Sequence, residues 1–439
     1  MHTHSEGLLA PKENLSKKVA LHTLGCRLNF SETGSIAQGF AKRGYEVVPF
    51  GETADVVFIN TCTVTDQADS TCRNLIRKAH KSSPEGKVVV AGCYAQMEAP
   101  KIQQIQGVDL VLGTTEKYKV FDYLEEEADQ IVKTDKTIDF YGAATSMQEG
   151  HTRAFLKIQD GCNYVCSFCI IPQARGRSRA ASIASVIKEA KGLIDQGFKE
   201  IILTGVNIGE YESASGERLA DLLSELSSLD GLKRLRLSSV EPNTLSDEVL
   251  SVLKESNVFL DHFHIPLQSG CDEILTSMRR KYNVDHYTRL IEKVVRLFPE
   301  AGIGADVIAG YPGETDEQFE MTYKLLEDLP ITHFHVFPYS RRKNTTANRM
   351  ENHIQHALKK QRVARLIKLG EQKLSAFTED QVGRFSDVLF ERRNKAGLYM
   401  GHTTNFVKVY VDTPQELRNQ IHQVKLTDYK DGKLYAKLS

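Results

Sequence analysis

Three thiols stand within eight residues in Asp160-Gly161-Cys162-Asn163-Tyr164-Val165-Cys166-Ser167-Phe168-Cys169, at C-x3-C-x2-C spacing. Thiolates so placed wrap one metal centre, and sulfur donors select zinc or iron–sulfur clusters over hard cations. Structural zinc closes its shell with four ligands, and this loop offers three, which points to a cluster with one iron left open for chemistry. The alternative, a loop of buried core thiols, fits poorly because Gly161 and polar Asn163 flank the cysteines. Three further thiols, Cys26, Cys62 and Cys93, each follow a short apolar run, in Thr23-Leu24-Gly25-Cys26, Asn60-Thr61-Cys62-Thr63 and Ala91-Gly92-Cys93-Tyr94. Cys72, inside a helical stretch, and Cys271 are given no ligand role.

The elements that position these thiols are legible as alternating strand and helix patterns. In residues 18–127 the runs at 19–21, 56–59, 88–91 and 110–112 predict strands, and 31–43, 66–81 and 115–127 predict helices, an open α/β sheet. Ligands gather outside the carboxyl ends of such strands, so three loops would each deliver one thiolate to one place. Residues 128–150 read as a linker. Beyond them six strands are predicted, at 154–158, 200–203, 235–237, 262–265, 305–309 and 333–337. Helical periods lie between them at 182–196, 219–229, 246–255, 284–297 and 316–329, which makes a partial (β/α)6 barrel. The cysteine loop leaves its first strand. A basic helix follows at 357–374, and the short alternating runs at 386–390, 405–411 and 423–426 predict a small five-stranded, OB-like barrel of the type that binds single-stranded nucleic acid. The domain boundaries expected are 17–127, 151–375 with the basic helix, and 376–439.

Eight cysteines in 439 residues, with no apolar core in the first sixteen, argue for metal chemistry in a reducing compartment rather than a disulfide framework. A cytoplasmic location is expected. The net charge of -1 hides an uneven distribution: residues 121–150 hold eight acidic side chains against two lysines, and residues 341–375 hold ten basic side chains against two glutamates. The second stretch is a candidate nucleic-acid face.

The three N-terminal motifs, the cysteine loop continuing into Ile171-Pro172 and Ala174-Arg175-Gly176, His264-Ile265-Pro266-Leu267-Gln268-Ser269-Gly270, and Gly310-Tyr311-Pro312-Gly313-Glu314-Thr315 together resemble the methylthiotransferase family of radical S-adenosylmethionine enzymes. The likeness runs from residue 17 to the end, where it implies a TRAM domain. It implies two four-iron, four-sulfur clusters, one on Cys162, Cys166 and Cys169 that binds S-adenosylmethionine, the other on Cys26, Cys62 and Cys93 that carries the sulfur to be transferred. Reductive cleavage of S-adenosylmethionine to a deoxyadenosyl radical, hydrogen abstraction and methylthio transfer are the implied reaction, chemistry that cofactors rather than side chains supply. By motif position, Phe168, Ile308 and Gly310 are expected near the adenine of S-adenosylmethionine, Thr204 and Gly205 near its amino group, and Glu241 near its ribose.

Within the family, Cys26-Arg27-Leu28-Asn29 with Glu32-Thr33, and Cys62-Thr63-Val64-Thr65, look most like the branch acting on N6-threonylcarbamoyladenosine beside the tRNA anticodon. The isopentenyladenosine branch usually carries Gln-Met-Asn after the first cysteine. Lys343-Asn344 stands where Pro-Gly is usual, and Cys271 where Ser is common. The implied partner is the tRNA anticodon stem-loop, with unidentified electron and sulfur donors and a monomeric enzyme. Its splayed bases suit stacking, and its phosphates suit the basic stretch. Arg175, Arg177 and Arg179 are the expected contacts to the modified base's carboxylate, and Gln268 a further substrate contact. Three other readings stand beside this one: a methylthiotransferase for isopentenyladenosine tRNA or for a ribosomal-protein aspartate, an iron–sulfur RNA-binding regulator without turnover, and a structural zinc protein.

Overall fold

The computed structural model describes residues 16–63, 66–126, 131–135, 139–145 and 151–439. In the N-terminal region six parallel strands lie in the order Glu46–Val48, Lys18–Thr23, Val56–Thr61, Lys87–Gly92, Leu110–Leu112 and Ile131–Lys133. The central strands are mostly apolar because both faces are covered, and Val56–Thr61 is buried at every position, its polar Asn60 and Thr61 included. One face packs against helices Asp66–Ser82 and Cys93–Gln103 through Ile59, Ile76, Val90 and Ile102. The other packs against Arg27–Lys42 through Ile36, Phe40 and Phe58. The expected long helix at 115–127 is a 3-10 turn, Glu116–Lys119, and one short helix, Val120–Leu124.

The stretch expected as a linker supplies sheet. Ile131–Lys133 is the outermost strand of the N-terminal sheet, and Ala143–Ala144 pairs antiparallel with Arg153–Lys157 at the edge of the next region. There, six parallel strands, Arg153–Lys157, Glu200–Thr204, Arg234–Leu237, His262–His264, Gly302–Ala309 and His333–Pro338, form two sheets joined by bridges between Leu235 and Phe259 and between Ser239 and His264. The six strands and five outer helices are those predicted, a partial barrel. The helices begin where polar side chains satisfy their first amides: Ser182 accepts from Ser185 N, Ser246 from Val249 N, Asn283 from His286 N, and Thr315 forms a capping box with Gln318.

Helix His356–Glu379 lies against strand His333–Pro338 and leads to a closed five-stranded barrel of Phe385–Arg393, Tyr399–His402, Lys408–Val411, Ile421–Lys430 and Lys433–Leu438. Val388, Phe390, Val409, Val424 and Leu434 fill it. The basic stretch is not a uniform phosphate face. Arg362 is buried against Glu314 and Asp316, both at 2.7 Å, Arg365 pairs with Glu320, and Arg342 pairs with Asp69 at 2.9 Å. Arg362 and Arg365 bind the helix to the barrel, and Arg342 binds the loop before it to the N-terminal region. Lys343-Asn344 keeps its turn, since Asn344 holds φ +67, a conformation that Asn tolerates nearly as well as Gly.

The C-terminal barrel closes the amino-terminal mouth of the central one. Arg236 donates to the carbonyls of Thr403 and Thr404 at 2.8 Å while its Nε is held by Glu200 at 2.8 Å, and Arg234 donates to Thr403 at 3.1 Å. Phe406 sits among the guanidinium groups of Arg153, Arg236 and Arg27, at 5.1, 4.8 and 6.0 Å from its ring centre. Among the described residues no helix is long and apolar enough to cross a membrane.

A candidate two-centre sulfur site

The loop of residues 160–169 is held on both sides by its backbone. Cys162 N donates to Gly176 O at 3.1 Å, Ser167 N to Met278 O at 3.1 Å, and Ala347 N to Ser167 O at 2.8 Å. Gly161 has φ +72, and a Cβ there would lie 2.0 Å from Arg177 O, so this turn accepts only glycine. Two of the three sulfurs already receive donors: Tyr164 N at 3.3 Å on Cys162 and the Arg280 guanidinium at 3.1 Å on Cys166. Burial pushes the Cys162 and Cys169 thiols up to about 12, so without a metal both would stay protonated at neutral pH. Three sulfurs in one loop with cationic and N–H donors aimed at them fit an anionic, thiolate-bound cluster.

Near this loop, polar side chains are buried without partners. Asn207 is 3% exposed with both amide atoms unpaired, and the Ser238 hydroxyl, the Asn243 carbonyl oxygen and the Tyr339 hydroxyl are likewise orphaned. Such atoms call for a polar ligand, and S-adenosylmethionine offers donors and acceptors to match. A cavity of about 230 Å³ adjoins Cys169 and is lined by Phe168, Gln268, Asp306, Ile308, Phe337 and Tyr339 among others. Phe168 and Ile308 thus meet in one pocket. Thr204 and Gly205 lie one strand away against Gln159, whose side-chain oxygen accepts from Val206 N and Asn207 N at 3.0 and 2.9 Å. Gly310, with φ +74, abuts Lys359 and donates to Glu314 at 2.8 Å rather than lining the pocket. Glu241 forms an ion pair with Arg280, which the sequence reading did not assign. Nothing local marks Arg280 in the sequence, because it lies 114 positions from the sulfur it serves.

The other three thiols each follow the carboxyl end of a strand of the N-terminal sheet. Thr61 and Gly92 are cross-strand partners, so Cys62 and Cys93 leave neighbouring strand ends, and strands are about 4.8 Å apart. Gly25 packs on Cys62 so tightly that a Cβ would fall 2.8 Å from its sulfur. Cys93, 4% exposed, opens its helix, while Cys26 is exposed. Cys72 is fully buried, donates to Cys62 O at 3.5 Å and is pushed up to about 12 by burial, which keeps it a neutral thiol.

A buried ion cluster ties the two thiol sets together. Glu32 accepts from Lys117 at 2.5 Å, Lys157 at 3.0 Å, and both guanidinium nitrogens of Arg175 at 2.9 and 3.1 Å. Arg175 also reaches Asp160 at 3.0 Å and Asn29 at 2.7 Å. Arg175, expected to meet a substrate carboxylate, is therefore 3% exposed and committed to positioning. Arg179 is likewise bonded to Asp160 at 3.1 Å, whereas Arg177 is exposed at the rim. Four cations, Lys117, Lys157, Arg175 and Arg179, face two carboxylates in this cluster. The Cys93 thiol is raised by burial, but Arg175 and Lys117 oppose that rise, as suits an anionic thiolate.

Residues 18–113 match the family described as Uncharacterized protein family UPF0004, and residues 156–326 match the Radical SAM superfamily. The chain is 39% identical over 420 residues to the threonylcarbamoyladenosine tRNA methylthiotransferase MtaB of Bacillus subtilis (strain 168), covering 93% of each protein. It is 33% identical to the tRNA-2-methylthio-N(6)-dimethylallyladenosine synthase of Bartonella quintana (strain Toulouse), over 90% of this chain and 91% of that one. Among solved structures, the radical S-adenosylmethionine methyltransferase TsrM from Kitasatospora setae, with cobalamin and a 4Fe-4S cluster bound, shares the fold at TM-score 0.55 and 17% identity, over 76% of this chain and 77% of that one.

Proposed function

Because the chain belongs to the radical S-adenosylmethionine methylthiotransferases, we propose that it converts N6-threonylcarbamoyladenosine, at position 37 next to the tRNA anticodon, to its 2-methylthio derivative. One observation carries this reading: two three-thiol sets, one per region, joined by the buried Glu32, Arg175 and Asp160 cluster. The family uses S-adenosylmethionine and a 4Fe–4S cluster, for which Cys162, Cys166 and Cys169 are the ligands proposed here, and Cys26, Cys62 and Cys93 are proposed to hold a second cluster. When bound, these groups supply one-electron cleavage of S-adenosylmethionine and the sulfur to be transferred. The chain's own residues orient and seal. Arg280 holds the Cys166 sulfur, Phe168 and Ile308 wall the ligand pocket, and the unpaired Tyr339 hydroxyl lines it. Gln268, held at φ +65, presents its side chain to the same pocket, where a substrate base would meet it.

Support for tRNA comes from the relatives' names, and for the threonylcarbamoyl branch from the similarity to MtaB across nearly the whole chain. The test is anaerobic incubation of the reconstituted protein with S-adenosylmethionine, sulfide, reductant and tRNA carrying threonylcarbamoyladenosine, followed by nucleoside mass spectrometry. The methylthio nucleoside is the expected product. Formation of 5′-deoxyadenosine without it would retain the radical chemistry and reject the substrate.

A further inference from the structure

A second, larger cavity of about 590 Å³ lies between the central barrel and the C-terminal barrel. Its walls include Arg27, His262, His264, His333, His335, Phe406 and Lys408. It shares a wall with the pocket beside Cys169. Asp306 lines that pocket, and its carboxylate holds His264 at 3.0 Å and His335 at 3.4 Å, which line this one. We propose that this cavity receives an anionic substituent of the substrate base and that the Arg27 guanidinium takes its carboxylate.

Four observations carry the assignment. Arg27 follows Cys26 directly, so its side chain starts at the sulfur site and reaches the cavity. Among the described residues it has no hydrogen bond or ion pair, whereas Arg153, Arg234 and Arg236 are all paired with glutamates. His262 is 2% exposed with both ring nitrogens unpartnered, a buried polar group in the cavity wall that awaits a ligand. Burial holds His262 and His333 neutral, the latter pushed down to about 4, which leaves Arg27 as the guanidinium of the lining and Lys408 of the C-terminal barrel as its ammonium. Glu371 is the carboxylate of the lining. A planar fork beside a neutral donor suits a carboxylate better than a phosphate tracked along a surface.

The arrangement deepens the reading given above and rests on it. A base offering its reacting carbon to the pocket beside Cys169 would extend its N6 chain past the Asp306 wall, towards Arg27.

Two synthetic anticodon stem-loops test this, differing only in whether the N6-threonylcarbamoyl group ends in a carboxylate or a carboxamide. Full-length wild type, Arg27→Gln and Arg27→Lys are compared on both RNAs, by Kd from fluorescence anisotropy and by single-turnover methylthiolation of the reconstituted enzyme. Wild type is expected to prefer the carboxylate by on the order of 10- to 100-fold, the worth of a charge-assisted bond. Arg27→Gln is expected to lose that preference, and Arg27→Lys to keep part of it. Each comparison is between two RNAs on one protein, so unequal iron loading among variants does not enter. Equal treatment of the two RNAs by wild type overturns the cavity assignment while leaving the reaction intact. A preference that survives in Arg27→Gln overturns the role of Arg27. Methylthiolation of neither RNA by wild type overturns the substrate reading, and this inference with it.

Discussion

Replacing Glu32 by Gln should separate the two regions of the site more surely than any substitution at their surfaces. Glu32 has no side-chain exposure, and it accepts from Lys117, Lys157, Tyr118 and both nitrogens of Arg175. Gln keeps the volume but leaves Lys117, Lys157 and Arg175 facing Asp160 as the remaining carboxylate of the cluster, with an amide N–H among them. Removing one partner of a buried ion network costs about 3–5 kcal/mol, because the others stay uncompensated. At roughly 2–4 °C per kcal/mol for domains of about 150–250 residues, the unfolding midpoint should fall on the order of 10 °C. The pH dependence identifies the cause. Burial pushes the Glu32 carboxyl up, but Arg175, Lys117 and Lys157 overcome this and hold it well below the usual range. A depressed folded value means the stabilisation is complete above the unfolded value of about 4.3 and is lost as pH falls through the folded one. The gap between wild type and variant in differential scanning fluorimetry should therefore be full at pH 7 and narrow below pH about 4. A midpoint shift under about 2 °C at pH 7, or a gap that does not narrow in acid, would refute the reasoning.

Other substitutions have equally definite outcomes. Gly25→Ala places a methyl group 2.8 Å from the Cys62 sulfur at a left-handed φ of +97, so reconstituted protein should lose about half its iron, by colorimetric assay, while 5′-deoxyadenosine is still formed. Arg280→Gln removes a cationic donor 3.1 Å from Cys166, which should make the reduction potential of that cluster more negative in an EPR-monitored titration. An unchanged potential would show that the contact is not electronic. Arg236→Met strands Glu200 without one buried partner, frees the Thr404 carbonyl and leaves the Thr403 carbonyl to Arg234 alone. Limited proteolysis near residues 380–384 should then accelerate several-fold, and an unaltered cleavage rate would count against the docking role.

The sequence reveals what is contiguous and conceals what is assembled. The cysteine loop is readable because its ligands share one turn, and the barrel because each strand and helix carries its own period. The N-terminal thiols are readable as strand-end residues, since a parallel sheet puts all its carboxyl ends on one edge. Arg175 is misread because its partners Glu32 and Asn29 lie 143 and 146 positions away, and no local pattern tells a buried guanidinium from a surface one. The basic helix misleads for the same reason: Arg362 and Arg365 look like a solvated face until Glu314 and Glu320 are placed beside them. Helix Cys93–Gln103 escapes notice because Pro100 interrupts it and it lacks a clear apolar stripe. The strands at 131–133 and 143–144 are too short to carry a period of their own.

The loop that stoppers the central barrel also sets an order on synthesis. Residues 403–405 satisfy Arg234 and Arg236, and the amide of Asn405 donates to Glu300 O at 3.0 Å. When the barrel strands have left the ribosome but residues 403–405 have not, the Arg236 guanidinium has Glu200 but neither of its backbone acceptors. Domains emerge from the amino terminus first, and contacts between residues so far apart in the chain form late. A chain truncated before residue 403 would expose this charged floor to solvent and to proteases. The floor of the central barrel is thus completed by residues that lie near the end of the chain.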